Sequence, residues 1–302
     1  MNIFLNKKIL IYGLGKSGLS TFKFLKINND ISLYDDFQSV INNKEIKRKL
    51  VTYQKVINSN FDFIILSPGI DIDKCKLSEF LKINRRKIYS DLDIFHSFFK
   101  NVCITVTGTN GKSTTCKIMY DVLLDQNFDV RLVGNIGNPV LSVKNIKKKT
   151  IFVIEASSYQ LEYSKIFSSK YAIILNISPD HIERHKTIGK YIKAKFKLLK
   201  NQIKGNLAFV KKNDNLINKT LKSTTFKSKI IRVDTKNTKK FLENITNSYF
   251  VTETNKENLA FILKIANKLK LKKNLLIKSI KKFKGLKYRQ QIIFNKKNLK
   301  II

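Results

Sequence analysis

The nine residues Val106-Thr107-Gly108-Thr109-Asn110-Gly111-Lys112-Ser113-Thr114 restrict the possible folds of this chain more than any other stretch. They follow the apolar run Val102-Cys103-Ile104-Thr105-Val106 and lead into a segment of helical character over 114–126. A strand that turns through glycines into a helix N-terminus belongs at the edge of a parallel α/β sheet. There, backbone N–H groups and the helix dipole point at an anion. The lysine ammonium neutralises phosphate charge and the serine hydroxyl can ligate Mg²⁺. The usual eight-residue loop carries a glycine five places before Gly111, where this chain has Val106. The loop is therefore a shortened variant, and Gly108, Thr109, Asn110, Gly111, Lys112, Ser113 and Thr114 are the candidate nucleotide contacts.

A second glycine loop lies nearer the N-terminus. Ile9–Tyr12 reads as a strand, Gly13-Leu14-Gly15-Lys16-Ser17-Gly18 as a turn, and Leu19, Phe22 and Leu25 as one face of a helix. Ile31–Tyr34 is the next strand, and Asp35 follows Gly18 by 17 residues. This spacing is the dinucleotide-binding fingerprint, for which NAD is the default ligand. Phe61–Leu66 is a further strand, closed by Ser67-Pro68-Gly69 where ligands of such sheets bind. Candidate contacts are Gly13, Gly15, Lys16, Ser17, Asp35, Ser67, Pro68 and Gly69. The residues alone leave the ligand open between NAD and another nucleotide.

With 302 residues there is room for two ordinary cores, and 43% hydrophobic content argues against disorder. The expected organisation is a Rossmann-like unit over 1–98 and a P-loop-type ATPase unit with a mostly parallel sheet over 99–284. The start of a truncated third domain is expected over 285–302, making an α/β protein throughout. In the second unit Thr150–Glu155 and Tyr171–Asn176 read as strands, and Ile188–Leu199 and Asn255–Leu271 as helices. From Asn201 to Ser248 the Lys/Asn/Thr-rich composition suggests a solvated sheet edge with loops and short strands at Leu207–Val210 and Ile230–Val233. Residues 285–302 resemble a hairpin that stops inside its second strand.

The net charge of +37 raises the possibility of a nucleic-acid partner. Only seven of the 59 basic residues are arginine, however, and lysine is spread along the whole length. No specific nucleic acid is expected, although polyanions should adhere at low salt. Cys75, Cys103 and Cys116 lack metal-ligand spacing and read as free thiols, the last two buried. With no signal peptide and no apolar window long enough for a membrane span, a cytoplasmic monomer is expected.

Three further stretches carry chemistry. Glu155 ends a strand and precedes Ala156-Ser157-Ser158-Tyr159-Gln160-Leu161. An acid there can reach a Mg²⁺ held at the phosphate loop, and its plainer reading is a cap for the next helix. Asn176-Ile177-Ser178-Pro179-Asp180-His181-Ile182-Glu183-Arg184-His185 follows another strand. His185 reads as exposed. Lys195 lies fourteen residues beyond His181 among Lys193, Lys197 and Lys200, for which a solvated helix face is the default.

The G-T-N-G-K-S-T loop, the Glu-x-Ser-Ser-x-Gln-Leu motif and the Asp-His pair together resemble the Mur ligase and folylpolyglutamate synthase superfamily. Its members are ATP-dependent enzymes that join an amino acid to a carboxylate. The Glu-x-Ser-Ser-x-Gln-Leu motif is most similar to the D-glutamate-adding branch, and relatives adding other amino acids differ there. The resemblance implies ATP and Mg²⁺ as cofactors, and UDP-N-acetylmuramoyl-L-alanine and D-glutamate as substrates. The first cleft then holds UDP rather than NAD. It also implies that Ser113, Glu155, His181 and a carbamylated Lys195 hold metal ions. Ser157, Gln160 and Asn135 of Gly134-Asn135-Ile136-Gly137 would contact the UDP-sugar, Asn258 adenine, and Arg289 ATP. Where some members have Thr-Arg near the uracil this chain has Asp36-Phe37. Two other classes remain: a binding-only fragment of such a ligase, and a basic NTPase associated with nucleic acid. If the third domain is missing, the chain should bind the UDP-sugar and form little D-glutamate product.

Overall fold

The structure, a computed structural model, describes residues 2–37, 43–243, 245–286, 294–296 and 299–301; the last two segments and residues 237 and 239 are described as backbone only. The first part of the chain runs β1 (Lys8–Tyr12), α1 (Lys16–Leu25), β2 (Asp30–Tyr34), α2 (Lys44–Lys49), α3 (Tyr53–Ile57), β3 (Phe63–Leu66), α4 (Ser78–Ile83), β4 (Ile88–Tyr89) and α5 (Asp91–Phe98). Its sheet has the order β2-β1-β3-β4, with every pair parallel. The chain builds β2 on one side of β1 and then crosses to place β3 on the other. The carboxyl ends of β1 and β3 consequently border a crevice at the point where strand order reverses. Register sets Tyr12 against both Tyr34 and Leu66, which brings Gly13, Asp35 and Ser67 to one level.

The second part begins with β5 (Cys103–Thr107), α6 (Lys112–Asp125), β6 (Val130–Gly134), β7 (Ile151–Glu155), α7 (Ser158–Tyr163) and β8 (Tyr171–Ile174). It continues through α8 (Ile182–His185), α9 (Ile188–Lys200), β9 (Leu207–Lys211), α10 (Asn215–Ser223), β10 (Lys229–Val233), α11 (Lys236–Leu242), α12 (Glu253–Lys268) and α13 (Lys273–Lys282). The sheet order is β10-β9-β8-β5-β7-β6, again all parallel. β5 sits centrally and is buried along its whole length, as expected of a parallel strand covered on both faces. One face packs against Met119 and Val122 of α6, Leu259 and Ile262 of α12 and Ile280 of α13. The other belongs to an apolar cluster that runs from Ile9, Ile11 and Phe22 through Phe95 to Phe152, Ile154 and Leu198. The two sheets therefore share one core.

α5 joins them with hydrogen bonds as well. The buried Asp93 carboxylate accepts from Ser164 Oγ and from the backbone N–H groups of Lys165, Ile166 and Phe167 at 2.8–3.0 Å, and from Ser90 N at 3.0 Å. A buried charge so fully hydrogen-bonded avoids the desolvation penalty of an unpaired one.

Several elements differ from the sequence reading. β6 was missed because Arg131 interrupts its apolar run; it is an edge strand with partly exposed positions. The stretch 201–248 does carry β9 and β10, but α10 and α11 lie between and beyond them where loops were expected. α10 is capped by Asp214, which accepts from Ile217 N at 3.0 Å, and Ile217 is its only buried side chain. α2 to α5 and α13 were likewise unassigned. Of the C-terminal hairpin, β11 (Phe294–Lys296) and β12 (Leu299–Ile301) form an antiparallel pair with Phe294 opposite Ile301. The expected strand residues 292, 293 and 302, and Arg289, lie outside the described residues. Cys103 and Cys116 are buried free thiols, and Cys75 is partly buried. No helix among the described residues is long and apolar enough to cross a membrane.

Candidate functional site

All eight candidates from the first sheet, Gly13, Gly15, Lys16, Ser17, Asp35, Ser67, Pro68 and Gly69, line one cleft of about 530 Å³. The glycines are required by close approach. A Cβ on Gly18 would lie 1.9 Å from Gly13 O, and one on Gly13, at φ +92°, would lie 2.7 Å from Ser67 Cβ. Ser67 Oγ donates to Gly13 O at 2.5 Å, so the two turns brace each other. The Asp35 carboxylate accepts from Leu14 N at 2.7 Å and from Phe37 N at 2.9 Å, holding the loop open toward the cleft. The ten-residue α1 starts at Gly15 with no side-chain cap and no acid in its first turn. Its orphan N–H groups and positive dipole end face the cleft.

The loop 108–111 is built in the same way. Gly111 has φ +83°, and a Cβ there would meet Asn258 Oδ1 at 2.3 Å. Asn258 of α12 is buried against the loop. Asn255 instead donates to Tyr249 O at 2.8 Å and braces its own helix start. α6, fourteen residues long, also begins without a side-chain cap or an acid in its first turn. Asn176 stiffens the loop from β8: its Oδ1 accepts from Asn110 N at 2.9 Å and its Nδ2 donates to Asn110 O at 3.2 Å. Thr109 Oγ1 meets Tyr191 Oη at 3.0 Å and accepts from Ser178 N at 3.0 Å.

Two ammonium groups share the loop. Lys112 Nζ donates to Gly108 O at 2.9 Å and Thr109 O at 2.8 Å, and Lys195 Nζ donates to Gly108 O at 2.7 Å. Lys195 is 1% exposed, so the solvated-face default fails for it. Burial, reinforced by the Lys112 charge, pushes its pKa down to about 7, against the opposing pull of Asp180 and Glu155. Its ammonium also lies 4.5 Å from the centre of the Tyr191 ring.

Glu155 ends β7 and is 1% exposed. Its Oε1 accepts from Asn135 Nδ2 at 2.8 Å, while Oε2 is buried without a hydrogen-bond partner. It does not cap the following helix. Ser157 does, accepting from Gln160 N at 3.2 Å, while Gln160 Oε1 accepts from Ser157 N at 3.2 Å. Among the described residues no group of three or more His, Cys, Asp and Glu side chains could hold a metal ion. An orphaned carboxylate oxygen with the buried Ser113 hydroxyl at the adjoining helix start is nevertheless a hard-oxygen donor set. It suits Mg²⁺, which takes few protein ligands and completes its shell with phosphate and water.

His181 is exposed at the start of α8, with φ +53°, its ring 5.0 Å from Tyr159 and 6.4 Å from Tyr191. Tyr191 thus lies between His181 and Lys195. His185 is not exposed, contrary to the sequence reading. It is 2% exposed, its Nε2 lies 2.9 Å from Ser158 Oγ, and it packs against Tyr159 and Tyr191. Burial lowers its pKa to about 4. Sequence reasoning also missed Asn176 and Tyr191, which hold the loop. The placement of Asn176 straight after a strand's apolar run was the available signal.

Two family models match the chain: Mur ligase middle domain over residues 106–277, and Mur ligase MurD-like, N-terminal domain over residues 7–87. A UDP-N-acetylmuramoylalanine--D-glutamate ligase of Rickettsia bellii is 31% identical over 98% of this chain and 70% of its own length. The corresponding protein of Rickettsia felis is 37% identical over 70% of this chain, which spans 47% of that relative. For that of Francisella tularensis subsp. mediasiatica the figures are 36%, 95% and 64%. Among solved structures, a UDP-N-acetylmuramate:L-alanyl-gamma-D-glutamyl-meso-diaminopimelate ligase of Neisseria meningitides superposes with a TM-score of 0.58 at 13% identity. The match covers 93% of this chain and 99% of that one. The MurF ligase of Thermotoga maritima in complex with ADP gives 0.53 at 13% identity, over 95% and 68%. These structures share the fold.

Proposed function

The chain belongs to the Mur ligase family, and we propose that it serves the ligation of D-glutamate to UDP-N-acetylmuramoyl-L-alanine, driven by ATP, in peptidoglycan synthesis. One observation carries the reading. Two uncapped helix starts, each opened by a glycine loop, present their N–H groups to an anion, the first at a cleft, and a buried carboxylate oxygen without a partner stands at the second. Residues 1–98 take the UDP end of the substrate, and residues 99–284 take ATP.

Two anions must meet in the first step, so the work of the protein is charge neutralisation and positioning. Lys112 exchanges its loop carbonyls for β- and γ-phosphate oxygens. The L-alanine carboxylate oxygen forms a bond to the γ-phosphorus as the bond to the β–γ bridging oxygen breaks, giving acyl phosphate and ADP. The D-glutamate amine then attacks the acyl carbon and loses a proton, and phosphate leaves. Glu155 and Ser113 would hold one Mg²⁺, and His181 with Lys195 another. Bound there, the ions would neutralise phosphate charge as it develops. Lys195 fits carbamylation because that reaction needs a neutral amine, and its low pKa supplies one near pH 7. Asn135, Ser157 and Gln160 orient the muramoyl end, and Asn258 and Arg289 the nucleotide.

Ligand-dependent thermal stabilisation tests the reading, since a ligand of the native state raises the midpoint by mass action. UDP-N-acetylmuramoyl-L-alanine and Mg-ATP should each raise it, and NAD should not. Stabilisation by NAD alone would discard the assignment of the first cleft. A product assay with radiolabelled D-glutamate separates ligation from binding alone.

A further inference from the structure

Asp91, the first residue of α5, is a buried carboxylate that the proposed chemistry leaves unused. Three donors converge on it. Ser17 Oγ donates to Oδ2, Leu92 N donates to Oδ1 at 2.9 Å, and the side chain of Gln160 completes the set. Gln160 spends its own oxygen on Ser157 N, so its amide nitrogen is the group left for Asp91. Ser17 lines the first cleft at the start of α1. Gln160 stands on α7, five residues after Glu155, at the second sheet. One carboxylate between the sheets therefore touches a residue of each half of the candidate substrate site.

We infer that Asp91 is a positioning residue that fixes the span between the phosphate-gripping start of α1 and the sugar-facing start of α7. The inference rests on the UDP-muramoyl reading of those two half-sites. A carboxylate is the group the position requires, because every neighbour bonded to it is a donor. An asparagine of the same shape would turn an N–H toward at least one of them and leave that contact broken. Burial pushes the Asp91 pKa up, and the bonds from Ser17, Leu92 and Gln160 pull it back, as for an acid held by its donors.

A ligand that occupies only the uridine end depends on the first half-site. A ligand that reaches both ends depends on their separation as well. Dissociation constants for UDP and for UDP-N-acetylmuramoyl-L-alanine are therefore measured on the full chain, unaltered and as Asp91→Asn and Asp91→Ser. The affinity advantage of the whole substrate over UDP should fall about tenfold or more. The constants for UDP and ATP should move less than about threefold, a split that general destabilisation would not give. Folded variants that keep the advantage, or that lose UDP and the whole substrate equally, overturn the role of Asp91 and leave the functional reading intact. Failure of the unaltered protein to bind the UDP-sugar overturns that reading and this inference with it. Should neither variant fold, Ser17→Ala decides. Ser17 also lines the first cleft, so UDP and the whole substrate both weaken, but the advantage of the whole substrate over UDP must fall as well, and an unchanged ratio overturns the proposal.

Discussion

His185 gives the protein an acid-sensitive core contact whose size follows from its surroundings. The ring is buried between Tyr159 and Tyr191 with Nε2 against Ser158 Oγ. Burial lowers its pKa from 6.5 to about 4; the charges of Arg184, His181 and Lys195 add to the effect, and Glu183 opposes it. In the unfolded chain the imidazole takes up a proton near pH 6.5, whereas in the native state it resists until about pH 4. Between those values the unfolded state binds more protons, so this residue makes stability fall as pH falls through that window. Above pH 7 its contribution is flat. The gap corresponds to about 2.5 kcal/mol at pH 4.5 and close to zero at pH 7.5. His185→Gln keeps a polar partner for Ser158 and removes the titration. Its lost ring contacts impose a constant offset at every pH. The assay is the difference in thermal midpoint between His185→Gln and the parent, taken from pH 4.5 to 7.5. It should move in favour of the variant by roughly 5 °C toward the acid end. A difference that stays flat across the range would show that His185 is not held neutral by burial.

Gly111→Ala should lower ATP affinity about tenfold or more, because a left-handed non-glycine costs about 1–2 kcal/mol and the new methyl displaces Asn258. Calorimetric titration giving the parent's constant would refute the loop geometry as the source of affinity. Glu155→Gln should weaken Mg-ATP binding while the midpoint of the ligand-free protein holds or rises, since a buried oxygen without a donor is destabilising before any cation arrives. A lower midpoint with unchanged Mg-ATP binding would assign Glu155 to structure alone. Lys112→Ala should abolish measurable ATP binding by removing the charge that faces the triphosphate. Retained affinity in the same titration would remove Lys112 from the nucleotide site.

The legible parts of this protein are those where local backbone geometry and ligand geometry coincide. Gly13, Gly18 and Gly111 could be read because side chains at those points would collide with Gly13 O, Ser67 or Asn258, and a loop so constrained has few sequences. Strands β1, β3, β5, β7 and β8 could be read because parallel strands covered on both faces become unbroken apolar runs. In α10 and α13 the lysine-rich background dilutes the helical period to one or a few buried positions, Ile217 in one and Leu276 and Ile280 in the other, and the signal disappears.

Charge is the harder case, because the sequence shows ionisable groups without their solvent. His185 lies in Glu183-Arg184-His185-Lys186, a stretch whose composition says surface, yet α7 and α9 close over it. Around Lys195 the neighbouring lysines suggested a solvated helix face. Lys197 contradicts that reading as well: its ammonium donates to Glu162 O, and burial lowers its pKa. Lys193, Lys197 and Lys200 border a cavity between α9 and α10 rather than open water alone. A lysine four residues from Tyr191 on a helix with Ala194 and Leu198 sits on the buried stripe by period alone. That periodicity separates Lys195 from its neighbours without reference to any relative. It also explains why, of the α9 lysines, the one that reaches the phosphate loop is the one whose pKa burial lowers to about 7.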